Sequence, residues 1–165
     1  MSAQLPESSR PLVGENSTHH SVGTDEWTKQ VGTVEAALVA NLLMEDGIHL
    51  EGIGLSDEDI VQKVSTGQRT RPFCVVRNWL LLDVMLPSDV EDEVRNQHLH
   101  PTVIFAHMVA YDSRVAEARP GSIRSSFQHS LHDWVFRSKE TDFLLAGPGV
   151  RKHVSLPALL ALDDL

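Results

Sequence analysis

Nine histidines and a single cysteine are the side chains of this 165-residue chain best suited to chemistry near neutral pH. The pair closest to a metal-ligand spacing is His129-x-x-His132. On a helix that spacing would set both imidazoles on one face. The flanking residues read instead as strand and turn, where the two point to opposite faces. No His-Glu-x-x-His motif exists, and Asp133 is the one carboxylate close by, so no metal site is expected. His98-x-His100 falls at the end of an expected helix, where imidazole can cap free carbonyls. His107 sits in an apolar strand and is expected to be half-buried and hydrogen-bonded. His49 and His153 have no evident partners.

Cys74 lies within Phe73-Cys74-Val75-Val76, where cysteine behaves as a small buried hydrophobe rather than a nucleophile. Without a second cysteine there is no intramolecular disulfide and no cysteine zinc site. Ser125, Ser126 and Ser130 neighbour the histidine pair, but no Gly-x-Ser-x-Gly elbow presents a nucleophile. No catalytic residue is assigned. Gly147-Pro148-Gly149-Val150-Arg151-Lys152 pairs glycines with cations, as an anion cradle would. Pro148 removes a backbone donor, however, and no helix N-terminus follows, so a tight hairpin turn with two solvated charges is the simpler reading. No cofactor is expected.

Arg124, Arg137, Arg151 and Lys152 are the candidate binding residues. With Arg119 and Lys139 they make the C-terminal part mildly basic in an otherwise acidic chain. Pointing the same way, they would form a patch for nucleic acid or an acidic peptide. A net charge of -9 and an aromatic content of 5% argue against nucleic acid, and the charge argues against anionic membranes. Asp57-Glu58-Asp59 and Glu91-Asp92-Glu93 are explained as first turns of helices, with a phosphate-mimicking surface as the functional alternative.

Residues 1–24 show no apolar period and read as a flexible tail, carrying His19-His20; residues 25–165 form one domain. Trp27, Val31, Val34, Leu38 and Leu42 recur at helical spacing after Asp25, and Gly47 is placed to cap the helix end. Ile48 to Leu55 suits a loop or short edge strand. Ser56 caps a second helix that stops near Gly67, and Gln68 to Arg71 form a basic connection. Phe73–Val76 reads as a buried strand, with Trp79–Met85 behind it. A helix restarts at Pro87-Ser88-Asp89, and Thr102–Tyr111 returns as a strand. Short strands follow at Ile123–His129, Asp133–Ser138, Phe143–Ala146 and Val150–Ser155, before a helix opened by Pro157. The expected fold is α+β: an acidic helical N-terminal half packed on an antiparallel sheet of C-terminal hairpins.

Pro72-Phe73-Cys74-Val75-Val76-Arg77-Asn78-Trp79, Pro120-Gly121-Ser122-Ile123, Val135-Phe136-Arg137-Ser138-Lys139 and Phe143-Leu144-Leu145-Ala146-Gly147-Pro148-Gly149 with Arg151-Lys152 resemble a family of small bacterial proteins. The resemblance spans roughly residues 70–160. That family occurs in pseudomonad-type chromosomes and their prophages and has no assigned activity. Ile123 stands where the family pattern has an aromatic. The resemblance implies a bacterial, prophage-associated setting and a role in phage–host conflict.

The start Met1-Ser2-Ala3-Gln4 lacks a basic, then apolar leader, and no apolar run approaches the ~20 residues of a membrane span, so a cytoplasmic location is expected. Three functions are weighed. The favoured one is a non-catalytic protein–protein interaction module, a regulator or inhibitor. The others are a nucleic-acid binder using the basic hairpin face and an enzyme using gathered histidines.

Overall fold

Strand β2 (Phe73–Met85) runs through the middle of the molecule and explains the rest. Its sequence, FCVVRNWLLLDVM, is nearly continuous in apolar residues, as a strand covered on both faces requires. The computed structural model describes residues 24–164. The tail expected over 1–24, with His19 and His20, lies outside the described residues except for Thr24, which begins α1 (Thr24–Met44).

The other elements are β1 (Ile48–Leu50), α2 (Asp57–Ser65), α3 (Ser88–Asn96), β3 (Thr102–Asp112), β4 (Glu117–Arg119), β5 (Ile123–Arg124), β6 (Ser130–His132), β7 (Val135–Arg137), β8 (Asp142–Leu145), β9 (Gly149–Ser155) and α4 (Leu156–Ala161). Among the described residues, four α-helices and a curled mixed sheet give an α+β fold. The Ser56 hydroxyl accepts the Asp59 N–H at 3.2 Å to start α2, and Ser155 does the same for Ala158 at 3.3 Å to start α4.

The sheet is not the antiparallel stack of hairpins that local turn signals suggest. β3 lies antiparallel along one edge of β2. Along the other edge, Phe73–Val76 pair parallel with Asp142–Leu145, and Trp79–Met85 pair parallel with Gly149–Ser155. β8 and β9 are thus two halves of one strand, running past β2 in a single direction. Gly147-Pro148-Gly149 is the kink between the halves, not a hairpin turn. Gly147 takes a positive φ of 66°, while the Ala146 N–H still bonds the Val76 carbonyl at 2.9 Å. Glycine at 149 has a separate cause. A Cβ there would fall 2.2–2.4 Å from the Trp79 indole, whose Nε1–H donates to the Gly147 carbonyl at 3.2 Å. The kink is the seat of a buried tryptophan.

β7 and β6 continue the sheet beyond β8 by a two-residue turn at Asp133-Trp134, both with positive φ. The chain between β5 and β6 first bonds β3, through Ser125 N–H to Ile104 O and Gln128 N–H to Thr102 O. It then bonds β7, through His129 N–H to Arg137 O. The sheet therefore curls around a core of Cys74, Val76, Trp79, Leu81, Ile104, Phe136, Phe143 and Leu145. Outside the curl, α1 and α4 cover Leu80, Leu82, Val84 and Phe105. α2 covers Phe73, Val75 and Leu144 through Ile60.

Two helix ends differ from expectation. Gly47 does not cap α1 by a left-handed turn; it is glycine because a Cβ would fall 2.4 Å from Val150 Cγ1 and 2.7 Å from the Arg151 carbonyl. Lys152, expected to be solvated, is buried beneath α1 and donates to the carbonyls of Leu42 (2.8 Å) and Leu43 (3.3 Å). At the end of α3, His98 takes a φ of 59°, its N–H bonds Arg95 O at 2.9 Å, and the Leu99 N–H bonds Val94 O at 3.2 Å. This is a Schellman closure, so the His98 backbone rather than an imidazole ends the helix.

Candidate functional site

Helix α2 leaves part of the β6–β7–β8 surface uncovered, and a groove of about 830 Å³ runs between them. Its floor is Ile53, Ile60, Val64, Val135 and Leu144, with Trp134 along one wall. Residues Ile60, Lys63 and Val64 present one helical stripe to it, the i, i+3, i+4 spacing of a single face, and Gly67 lines it just past the helix end. Trp134 is held from behind by Trp79, ring centroids 6.2 Å apart, and by the Leu145 N–H, which donates to its carbonyl at 2.9 Å.

Cations gather at one end, where Lys63, Arg69 and Arg137 line the groove. The anchor is Asp142, whose side chain is 2% exposed. Arg69 Nη1 donates to Oδ2 at 3.2 Å and Arg71 Nε to Oδ1 at 3.1 Å. Arg137 grips both oxygens, at 3.1 and 3.3 Å. Those hydrogen bonds raise the Arg137 pKa. Arg71 also ties down the β7–β8 loop through Ser138 O at 2.7 Å. One buried carboxylate thus orients three guanidiniums, each still half-open to water.

A second buried carboxylate, Asp112, flanks β2 on its other edge and pairs with Arg114 and Arg119 at 3.4 and 3.3 Å. Arg114 Nη2 also reaches Thr141 Oγ1, linking this pair to the residue before Asp142. Cys74, opposite Asp112, is fully buried. Burial, with Asp112 adding to it, pushes the thiol up to about 11, in keeping with a packing role.

Of the four binding candidates read from sequence, only Arg137 enters the groove. Arg124 makes a two-point pair with Asp163 at 2.6 and 2.7 Å. Arg151 pairs with Asp83 at 2.7 and 2.9 Å. Burial pushes the Asp83 carboxyl up, but hydrogen bonds from Arg151 and Thr102 outweigh it and hold the group below its ordinary value. Lys152 is turned inward under α1. The structure therefore does not bring the four residues together on one face.

The histidines disperse as well. His132 lines the groove. His129 is exposed. His107 is exposed rather than half-buried, with its ring edge-on to Phe105 at 5.0 Å. Among the described residues no group of three or more His, Cys, Asp or Glu is placed to hold a metal ion, and no helix is long and apolar enough to cross a membrane.

Sequence reasoning missed Lys63, Trp134 and Asp142, and saw Arg69 and Arg71 only as a basic connection. The one available signal was the sign change along the chain: Arg69 and Arg71 follow the acidic start of α2 immediately before a buried strand.

A family model described as a domain of unknown function (DUF6957) matches residues 51–161. No curated protein and no solved structure matches the chain. The chain belongs to the DUF6957 family, and the matched stretch contains the groove together with β1's successor loop, the central strand and the kinked β8–β9 strand.

Proposed function

We propose that this DUF6957 protein is a non-catalytic protein–protein interaction module, a regulator or inhibitor, that receives a segment of its partner between α2 and the β6–β7 hairpin. The observation that supports this is the groove itself: about 830 Å³, apolar along its floor and cationic at one end. A cleft with an apolar floor and a few oriented polar groups is the usual form of a recognition site. The arginines there are fixed by Asp142, so binding immobilises little that is not already ordered. A bacterial, prophage-associated setting, where such a module would act on a host or phage protein, enters through the family resemblance.

Gly54 provides the test. It lines the groove, has no positive φ, and a Cβ added to it would meet nothing within 4 Å. Gly54→Trp should therefore fill the cleft without disturbing the fold. Affinity capture from a nuclease-treated host lysate should retain one stoichiometric protein on the natural chain and lose it on Gly54→Trp. Equal retention by both forms, or retention of nucleic acid alone, would overturn the reading.

A further inference from the structure

We infer that the segment received by the groove is acidic and apolar: its aliphatic side chains lie on the floor and its carboxylates meet Lys63, Arg69 and Arg137. This rests on the groove reading above and adds the chemistry of the occupant.

Charge complementarity carries the argument. The protein as a whole has a net charge of -9, yet this corner is positive. Lys63, Arg69, Arg71 and Arg137 stand against Asp142 and Asp133 alone among the lining and anchoring residues. The acidic first turn of α2, Asp57-Glu58-Asp59, lies at the opposite end of the helix from Lys63 and outside the groove, with Asp57 paired to Arg77 at 2.8 Å. The donors are also available. Arg69 spends only Nη1 on Asp142, and Arg137 spends Nε and Nη2, leaving Nη1 open. A guanidinium oriented along one edge offers its remaining N–H groups to a carboxylate at little entropic cost.

The floor excludes a bare anion as the natural ligand, because Ile53, Val64, Val135 and Leu144 would gain nothing from it. It also disfavours a nucleic-acid strand. A phosphate backbone would bring many charges against the overall negative field and find only Trp134 and His132 to stack on in the groove. An acidic–apolar peptide satisfies both parts of the cleft.

The test uses the full chain and a fluorescein-labelled peptide in which alternating leucine and serine lead into consecutive aspartates. A twin peptide carries lysine in place of aspartate. Anisotropy should show the aspartate probe binding, weakening with added salt, and the lysine twin not binding. Arg69→Gln with Arg137→Gln should weaken the aspartate probe by at least about tenfold, the scale of a single lost charge-assisted pair. That double variant strips Asp142 of two partners, so Lys63→Glu, a change on an exposed helix position, serves beside it and should weaken the probe similarly. Arg124→Gln and Arg151→Gln, which alter cations elsewhere, should leave binding unchanged.

Equal binding of the two peptides, indifference to Lys63→Glu, or a thymidine oligonucleotide displacing the probe from the groove would overturn the inference. A captured partner that is lost on Gly54→Trp but indifferent to Lys63→Glu would sink this inference while leaving the groove reading intact. A partner indifferent to Gly54→Trp would sink the groove reading itself.

Discussion

The ammonium of Lys152 donates to the carbonyl oxygen of Leu42 at 2.8 Å, fastening the centre of β9 to the last turn of α1. The final carbonyls of a helix have no partners of their own, and a cation is favoured at that end of the dipole. Here the cation arrives from a strand far along the chain, with its stem buried under the helix. Val39 and Leu42 are the buried residues of α1 next to this contact, so the bond and the apolar seam act on the same turn.

Lys152→Met keeps the stem and removes the donors. The expected loss is about 1.5–3 kcal/mol, the scale of a hydrogen bond to a charged group with its acceptors left underbonded. Urea unfolding gives the total. Amide hydrogen exchange should rise selectively over Val39–Met44, and a uniform rise across the sheet would mean that the bond does not anchor α1.

Gly149→Ala should be more damaging than its size suggests. The added methyl would fall 2.2–2.4 Å from the Trp79 indole, and β9 is paired along β2 and cannot easily withdraw. Overpacking of this kind costs about 1–3 kcal/mol. Trp79 is 1% exposed, so a red shift of its emission should accompany the lowered midpoint. An unchanged midpoint would show that the indole can swing aside.

The same region shows why local sequence signals carried the fold only part of the way. Ser56 and Pro157 act within one helical turn, so the starts of α2 and α4 were legible. Gly147-Pro148-Gly149 carries the turn chemistry of a hairpin, but its conformation is set by Trp79 on a neighbouring strand about 70 residues away. A kink and a reversal look alike until that partner is known. The groove was hidden for the same reason. Asp142 and the arginines that surround it are separated by 73, 71 and 5 positions, and only the last pairing is local. Lys152 reads as a solvated charge beside Arg151, and only the position of α1 makes it a cap.

Cys74 should make stability fall at high pH. Its thiol is pushed from 9.0 to about 11 in the folded protein, chiefly by burial. The unfolded chain then loses this proton first as pH rises, and unfolding is favoured. The contribution is whole below about pH 9 and lost as pH passes through 11. Urea midpoints measured across that range should decline less in Cys74→Ala, after allowing for its lower starting stability. A thiol reagent at pH 8 should react with the natural protein only after denaturation, and rapid reaction in the native state would contradict the burial.

Asp142 and its arginines should respond unequally to mutation. Removing the carboxylate with Asp142→Ala leaves three guanidiniums facing one another, and breaking a buried pair costs about 3–5 kcal/mol. These guanidiniums are 33–49% exposed and can rehydrate, so the loss should lie toward the lower end. Arg69→Gln removes one of three partners through a single 3.2 Å bond and should cost less than about 1 kcal/mol. Added salt should recover part of the stability of Asp142→Ala, where like charges repel, and little of Arg69→Gln. If Arg69→Gln proves as costly as Asp142→Ala, Asp142 does not share its charge among three arginines, and the cationic end of the groove loses the brace that orients it.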